Sequence, residues 1–583
     1  MEMVETDVLV VGAGPTGLTA SALLASYGVD AVTVTKHSGT APTPRAHFIN
    51  QRTMEGFRDL GIEQGVRAAG TSISSLGNTV WATSFAGPEL ARRRSWGTGP
   101  DRRDEYEASS PCGIWNVPQH RLEPVVISRA QELGADIRFR SELVTLHQDA
   151  DCVLATIRDR ADGRQHRIRA RFVLGADGAR STVATQAGFD YEHDTGVMNW
   201  GINVWVDADL AAHCSHRPGL LYWIHQPGGG LHSSSAWICV RPWHEWVMAL
   251  VYPASHTEPR VDEATALEHA SAMVDDPNVN IRIKAISPWA VGAALAREYL
   301  KGRVLLAGDS AHRHPPPNGL GLNTGIQDAF NLCWKLAAIC SDAAGISLLD
   351  TYHAERQPVA RDVIRRATDS LRNMDHLLAA FGLEPDRTEA ESQERLSTLA
   401  SGGERGRQCR RELRDALLLQ DGQLNDHGME CGQRYAVGAV IADDNELPAR
   451  ADRDQQLRYE PSTIPGSPLP HAWLERTGIA LSSLDIADRG GFTVITGIGG
   501  SGWVSAAQHA AHALGVPIRG AVVDHDQEYH DVYGDWARLR DIDGSGCLLV
   551  RPDRYIAWRS HTAVDDPVRT LTNTMRQLLA RPS

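Results

Sequence analysis

Three runs of residues carry the clearest chemical signal. The first is Gly12-Ala13-Gly14-Pro15-Thr16-Gly17. The apolar stretch 8–11 leads into it and the small-residue stretch 18–27 comes after, so G-x-G-x-x-G lies directly between strand and helix, the context in which it cradles a dinucleotide pyrophosphate. Gly12 permits the tight turn, Gly14 lets a pyrophosphate reach the backbone, and Gly17 lets the helix pack closely on the strand. Pro15 and Thr16 lie in this turn, and the helix expected over 18–27 faces the phosphates with free N–H groups and a partial positive charge. Two later runs repeat the pattern of strand, turn and helix: Gly175-Ala176-Asp177-Gly178-Ala179-Arg180-Ser181, and Gly308-Asp309-Ser310-Ala311-His312, which continues through the loop 313–323 into a helix. Between the first and second runs, Thr43-Pro44-Arg45-Ala46-His47 sets a guanidinium and an imidazole on one side of an extended segment. A lone loop histidine is more often a surface residue. Its place shortly after the second strand of a dinucleotide fold, on the ligand side, makes it a candidate.

These turns require a parallel α/β frame. A second strand, 31–35, ends at Lys36, where a dinucleotide site ordinarily has Asp or Glu for the ribose hydroxyls. Lys36 reads equally as a contact to ribose or phosphate and as a solvated lysine. A helix is expected over 52–60, then a turn-rich, Arg- and Trp-containing stretch over 73–107, then a helix starting within 116–124 and running to 130. Alternating residues over 135–160 read as an antiparallel meander returning to a buried strand at 170–175. Residues 200–300 alternate polar and apolar with one helix, 262–274, which gives a β-sheet layer inserted into the α/β frame. A helix over 324–340 carries an apolar stripe at 326, 329, 330, 332, 333, 336 and 337. Helix continues over 349–381, the charged segment 384–414 is expected to wrap the surface, and the Pro/Ser-rich 461–470 reads as a linker. Beyond it, strands near 492–496, 518–523 and 547–558 with a helix over 503–514 form a separate α/β unit. That unit contains a second G-x-G-x-x-G spacing at Gly497, Gly499 and Gly502, read as a plain glycine-rich turn.

Bulk properties narrow the classes. The formal net charge of −14 argues against nucleic-acid binding, which needs basic surface. No apolar stretch approaches the roughly 18–20 residues of a membrane span, and the start of the chain has no signal-peptide pattern, giving a cytoplasmic expectation. The nine cysteines are scattered with no C-x-x-C, which argues against a metal ribbon or a redox pair.

The three turns together resemble those of the class A flavin aromatic hydroxylases, the para-hydroxybenzoate hydroxylase fold, over residues 1 to about 375. TPRAHFINQRTME, LYWIHQPG, VRPWHEW and HRHPPPNGLGLNTGIQDAFNLCWKLA are similar to the phenol-hydroxylase branch. The resemblance implies an α/β chain: an FAD-binding Rossmann-like domain (1–185, returning at 296–375), an inserted β-sheet substrate domain (186–295), a helical and linker segment (376–465), and a C-terminal thioredoxin-like domain (466–583). It implies FAD held by Gly12, Gly14 and Gly17 of the turn that also contains Pro15 and Thr16, with Arg45 toward the FAD phosphates or the incoming nucleotide. Gln119 would contact the ribityl region, Asp177 and Gly178 would serve both FAD and NAD(P)H, and Asp309 would bind a ribityl hydroxyl. Pro315, Pro316 and Gly321 would line the ring site, and backbone N–H groups near Leu322 and Asn323 would face the ring. The N-terminus of the helix near Thr324 gives that last placement an independent reason, since its partial positive charge favours an anionic reduced ring.

The implied reaction is ortho hydroxylation of a phenol through a flavin C4a-hydroperoxide, with NADH or NADPH as a transient co-substrate, O2 and a small aromatic substrate as partners, and a homo-oligomer, dimer or tetramer, as the assembly. By resemblance His47 is the base and Arg241 stabilises phenolate. A phenol of pKa about 10 facing an imidazole of about 6.5 makes proton transfer unfavourable by ~5 kcal/mol, so His47 needs a cation nearby. Members with a catalytic acid have Asp in a D-L-P-Q-like stretch. This chain has Asn116 in N-V-P-Q, which implies altered base strength or a substrate whose own groups replace the carboxylate. Trp96 and Trp223 read equally as pocket lining and as core; Tyr222 and Trp237 read more readily as core. Two other readings stay open: a tailoring hydroxylase of a polycyclic, polyketide or antibiotic phenol, and a non-enzymatic FAD-binding module.

Overall fold

Strand Met3–Val11 is nearly inaccessible over its second half, with Val8, Leu9 and Val10 at 0% exposure. Such a continuous apolar run belongs in the middle of a parallel sheet covered on both faces. Ala31–Val34 flanks it on one side and Gln165–Gly175 on the other, both parallel. Val304–Leu306 adds beyond the latter and Asp136–Arg138 beyond the former. The meander expected over 135–160 is present as Ser141–Gln148 and Val153–Asp159, antiparallel to one another, with Val153–Asp159 in turn antiparallel to Gln165–Gly175. Register levels the strand ends. Val11 pairs with Gly175 and Gly175 with Leu306, so three strands far apart in sequence end together and their glycine turns emerge side by side. The computed structural model describes residues 3–192, 194–228, 233–254, 258–443 and 454–581.

A seven-stranded sheet runs in the order Arg282–Val291, Asn199–Asp207, Glu245–Pro253, Ser234–Arg241, Gly219–His225, Asn78–Ala82, Glu89–Arg94. The stretch 73–107, expected to be turn-rich, therefore supplies two of its strands. Asn78–Ala82 is buried at every position and Glu89–Arg94 is an arginine-rich edge, so neither shows the alternation that marks a half-buried strand. Tyr222, Trp237 and Trp246 gather around Phe85 with ring centroids 5.1–5.6 Å from it, in one apolar cluster with Ala266, Ala270 and Met273 of the helix Glu263–Val274. Tyr222 and Trp237 are core.

Helix Gly321–Cys340 begins three residues earlier than expected and leads on to the 32-residue helix Asp350–Phe381. The charged segment 384–414 folds as two helices, Glu389–Ala400 and Glu404–Leu419, the first opened by a Thr388/Glu391 capping box. Their buried side is narrow, with Ser392, Gly406, Cys409 and Ala416 its fully buried members, which is why the composition looked like surface. In the C-terminal unit the order is Ile518–Val522, Phe492–Thr496, Cys547–Val550, Ile556–Ser560, the first pair parallel and the others antiparallel, with helices Ser501–Leu514 and Pro567–Leu578. The 461–470 stretch is not a free linker. Gly466 N–H donates to Ile556 C=O at 2.7 Å, Ile556 N–H to Ser467 C=O at 2.9 Å, and Leu469 N–H to Arg554 C=O at 2.8 Å, so it pairs along the edge as an extended segment. Among the described residues no helix is long and apolar enough to cross a membrane.

Candidate active site

The level strand ends bring the three turns into contact. Gly12 has φ +110° and a Cβ there would lie 2.2 Å from Ala176 C=O, so the first turn is pressed against the second. A Cβ on Gly17 would meet Gly12 C=O at 1.9 Å, the close helix–strand approach expected of it. Thr16 faces the third turn: Cβ atoms on Gly308 and Gly325 would lie 2.7 and 2.5 Å from its Oγ1. Gly14, by contrast, has nothing within 4 Å of a Cβ, and Pro15 begins the helix without a side-chain cap. An open backbone position before a helix whose first N–H groups lack acceptors is what a pyrophosphate requires. At 497–502 the equivalent space is closed: a Cβ on Gly497 would meet Arg540, Gly544 C=O and Asp524 within 2.9 Å.

The two aspartates of the other turns, alike in sequence, are used differently. Asp177 is consumed internally. Its Oδ1 accepts from Ser181 O–H at 2.5 Å and its Oδ2 from the N–H groups of Thr182 and Val183 at 2.7 and 3.1 Å, which caps helix Thr182–Gln186. The resemblance gave it to FAD and NAD(P)H; here it is the anchor of its own turn, and Gly178, at φ +81° in open space, is the position a ligand can approach. Asp309 is exposed and makes no hydrogen bond or ion pair among the described residues, so its carboxylate is available. Behind it, Asp328 accepts from Gly308 N–H at 3.0 Å, from His312 Nε2 at 2.8 Å and from Arg356 Nε at 2.8 Å. Arg356 also donates to Thr324 C=O at 3.2 Å. This fully buried trio fixes the third turn against the long helix, and sequence reading missed it. A carboxylate within an apolar helical stripe was the available sign.

Helix Gly321–Cys340 opens onto the same region with Leu322 and Asn323 in its first turn, where backbone N–H groups lack helical acceptors. The Asn323 side chain is committed elsewhere. Its Nδ2 donates to Phe48 C=O and Gly319 C=O, both at 2.9 Å, and its Oδ1 accepts from Asn50 N–H at 3.1 Å. Asn323 thus ties the start of this helix to the segment carrying His47. His314 covers the first turn: its Nδ1 lies 2.7 Å from Pro315 C=O, and a Cβ on Gly321 would lie 3.2 Å from its Nε2. In the loop, Pro315 is buried and Pro316 exposed, and Asn318 Nδ2 donates to Gly422 C=O at 2.5 Å and to Asp426 at 3.1 Å. The 420–431 segment therefore braces this loop, and it also braces Trp96, whose N–H donates to Leu424 C=O at 2.7 Å.

His47 lies at the head of the short strand Phe48–Ile49, which pairs with Trp115–Asn116. Val117 N–H donates to His47 C=O at 2.7 Å and Gln119 N–H to Ala46 C=O at 2.9 Å, so Gln119 holds this segment by its backbone while its amide is engaged with Glu123 at 2.7 Å. The imidazole is 6% exposed and Asn116 is 0% exposed. Burial pushes the His47 pKa down to about 3; the adjacent Asn116 amide opposes this, and the charges of His120 and Arg121 add to it. Asn116 Nδ2 donates to Cys239 C=O at 2.8 Å, whereas its Oδ1 and both His47 ring nitrogens are without a partner in hydrogen-bond geometry. Phe48, the residue after His47, packs against Trp96 with ring centroids 5.6 Å apart. Trp223 points away from Tyr222 and is half-buried, stacked at 6.0 Å on His225.

Arg241 does not join this group. Its side chain is 55% exposed at the end of its strand, 3.8 Å from Glu245. Glu245 also pairs with Arg121 at 3.0 Å and Lys284 at 2.8 Å, and Arg121 is the cation that acts on His47. Lys36 and Arg45 are exposed and, with Arg160, face His37, making a cationic margin beside the second strand.

An open glycine flanked by crowded ones, a helix N-terminus, an unengaged carboxylate at Asp309 and a second helix N-terminus across from a buried imidazole fit a flavin dinucleotide. Comparison with known proteins agrees. Residues 5–367 match the FAD binding domain family and residues 462–582 the aromatic-ring hydroxylase C-terminal domain family. The chain belongs to the FAD-dependent aromatic hydroxylases. It is 43% identical to the 2,4-dichlorophenol 6-monooxygenase of Delftia acidovorans, over 96% of this chain and 95% of that protein. It is 38% identical to the phenol 2-monooxygenase of a Pseudomonas species, over 98% and 93%. The crystal structure of the flavin-dependent monooxygenase PieE in complex with FAD and substrate superposes with a TM-score of 0.95 at 42% identity, over 99% of this chain and 100% of that one.

Proposed function

We infer that the protein uses NAD(P)H and O2 to hydroxylate a small phenol at the position ortho to its hydroxyl. The observation that supports this best is the pair His47 and Asn116. They are buried polar groups on a segment whose next residue, Phe48, packs against Trp96, and Asn323 ties that segment to the helix that opens at the flavin end.

FAD, when bound, supplies the redox chemistry and the activation of oxygen. The chain's own groups do the rest. The turn at Gly12–Gly17 would hold the FAD pyrophosphate, Asp309 would accept from one of its hydroxyls, and the N–H groups of Leu322 and Asn323 would favour negative charge on its ring. Phe48, Trp96 and Pro315 exclude water and press the substrate ring into place. His47 meets the phenolic oxygen. Moving a proton from a phenol of pKa about 10 to an imidazole near 3 costs about 9 kcal/mol, twice what an unperturbed histidine would face. His47 therefore works as a neutral hydrogen-bonding group that orients the hydroxyl and places its ortho carbon, and it does not store the proton.

The test is a panel of one-, two- and multi-ring phenols against the yellow holoenzyme, following NAD(P)H oxidation and identifying products by mass spectrometry. Stimulated oxidation with ortho-hydroxylated product from small phenols is expected. Product from multi-ring substrates alone would transfer the reading to a tailoring hydroxylase, and oxidation that no phenol stimulates would defeat both.

A further inference from the structure

Asn116 occupies a position from which a carboxylate would make His47 a stronger base, and its geometry shows what an amide does instead. Its Nδ2 is fixed on Cys239 C=O at 2.8 Å, so its Oδ1 must turn the other way. That oxygen is buried, lacks a partner, and lies beside the His47 ring, on which the amide acts. An amide oxygen only accepts, and a neutral imidazole has one N–H donor and one lone-pair nitrogen. The ring N–H belongs toward Asn116, because leaving a buried acceptor unsatisfied costs about 1–3 kcal/mol. The remaining ring nitrogen then presents a lone pair. A phenol O–H donates to a lone pair, whereas a phenolate oxygen is repelled by it.

No anion among the described residues offsets this at the ring. The charged groups acting on His47 are His120 and Arg121 of helix Gln119–Glu132, and Arg121 is itself paired to Glu245, which Lys284 and Arg241 also face. The sheet residue that anchors Asn116 is Cys239, whose thiol burial holds well above its ordinary range and therefore neutral.

We propose that Asn116 is a positioning residue that locks His47 as a neutral acceptor, and that the site consequently selects the un-ionised phenol as the form of substrate that binds. The inference rests on the phenol reading above. It separates two substrate classes that reading leaves together: weakly acidic phenols, neutral at working pH, bind in full. Phenols acidified by electron-withdrawing substituents bind only through their neutral fraction.

The experiment uses FAD-loaded enzyme and a nitro-substituted phenol whose neutral and ionised forms differ in absorbance. Binding is titrated by flavin difference spectra at pH values on both sides of the probe's pKa. The bound probe is expected to show the neutral spectrum, and its Kd to weaken about tenfold per pH unit above that pKa. In Asn116→Asp, the carboxylate makes His47 basic, so the bound probe becomes phenolate paired with imidazolium, and Kd stays level from the probe's pKa up to the pH at which His47 itself loses its proton. A phenolate spectrum in the wild-type complex, or a Kd that tightens as the probe ionises, overturns the proposal. So does an Asn116→Asp enzyme with the wild-type spectrum and slope. If no phenol of any acidity perturbs the flavin spectrum, the phenol reading fails with it. If the variant does not retain FAD, the wild-type titration alone decides.

Discussion

Replacing Asn323 by leucine tests whether the His47 segment is held from the flavin end. The side chain is 2% exposed and makes three hydrogen bonds, to Phe48 C=O, Gly319 C=O and Asn50 N–H. Leucine preserves the bulk and removes all three. Each stranded group carries a desolvation penalty of about 1–3 kcal/mol. Carbonyls, with a second lone pair, fall at the low end, so the sum is about 3–5 kcal/mol. Most of that falls on residues 48–50, because helix Gly321–Cys340 is otherwise buried in the core and keeps its own ladder. Hydrogen exchange read by mass spectrometry on the flavin-free protein, over peptides covering 46–54, isolates the effect from catalysis. An opening made easier by about 3 kcal/mol raises exchange roughly a hundredfold there. Peptides in the C-terminal sheet should be unchanged. Wild-type exchange over 46–54 would show that the segment is held by something else, and the role assigned to Asn323 would be wrong.

The turns give sharper contrasts. Gly12→Ala, at φ +110° with a carbonyl 2.2 Å from the new atom, should fail to give folded protein, whereas Gly14→Ala, in open space, should fold normally and lose flavin; circular dichroism and flavin content read both. Asp309→Ala should leave stability within about 0.5 kcal/mol and weaken FAD binding ten- to a hundredfold, the value of a hydrogen bond to a charged group. Asp177→Ala should do the reverse, costing about 1–2 kcal/mol as a lost helix cap without a selective rise in the KM for NAD(P)H. For His47, the folded pKa near 3 lies below the unfolded value near 6.5. The unfolded chain thus binds the proton first on acidification, and the stability contributed is complete above about pH 6.5 and lost as pH falls toward 3. Between pH 6.5 and 5 this ring alone should cost about 2 kcal/mol, a slope that denaturant titrations of His47→Gln should lack.

Each glycine turn is local: an apolar strand, a few small residues and a helix within about twenty positions, so the nucleotide frame could be read directly from the chain. The strand–turn–helix pattern of 492–514 was equally visible, and only the crowding of Gly497 by Arg540 and Asp524 shows that no phosphate fits there. Asp177 and Asp309 come after the same kind of strand, and sequence could not separate the one that caps its own helix from the one left free. The strands at 78–82 and 89–94 escaped because a strand buried on both faces and a strand lined with arginines lack alternation. The resemblance set Arg241 beside His47, whereas its side chain is 55% exposed at the strand end and faces Glu245, which Arg121 also pairs with. Residue types and local spacing determined the nucleotide-binding frame, because the backbone makes those features within one turn; the cofactor and the reaction class came through the resemblance that the three turns carry. Which groups face one another across separations from 69 residues (His47 and Asn116) to 328 (Trp96 and Leu424 of the 420–431 brace), with Asn323 and Phe48 between them at 275, was decided by strand register and helix packing, where burial and hydrogen-bond satisfaction act between parts of the chain that carry no mark of each other.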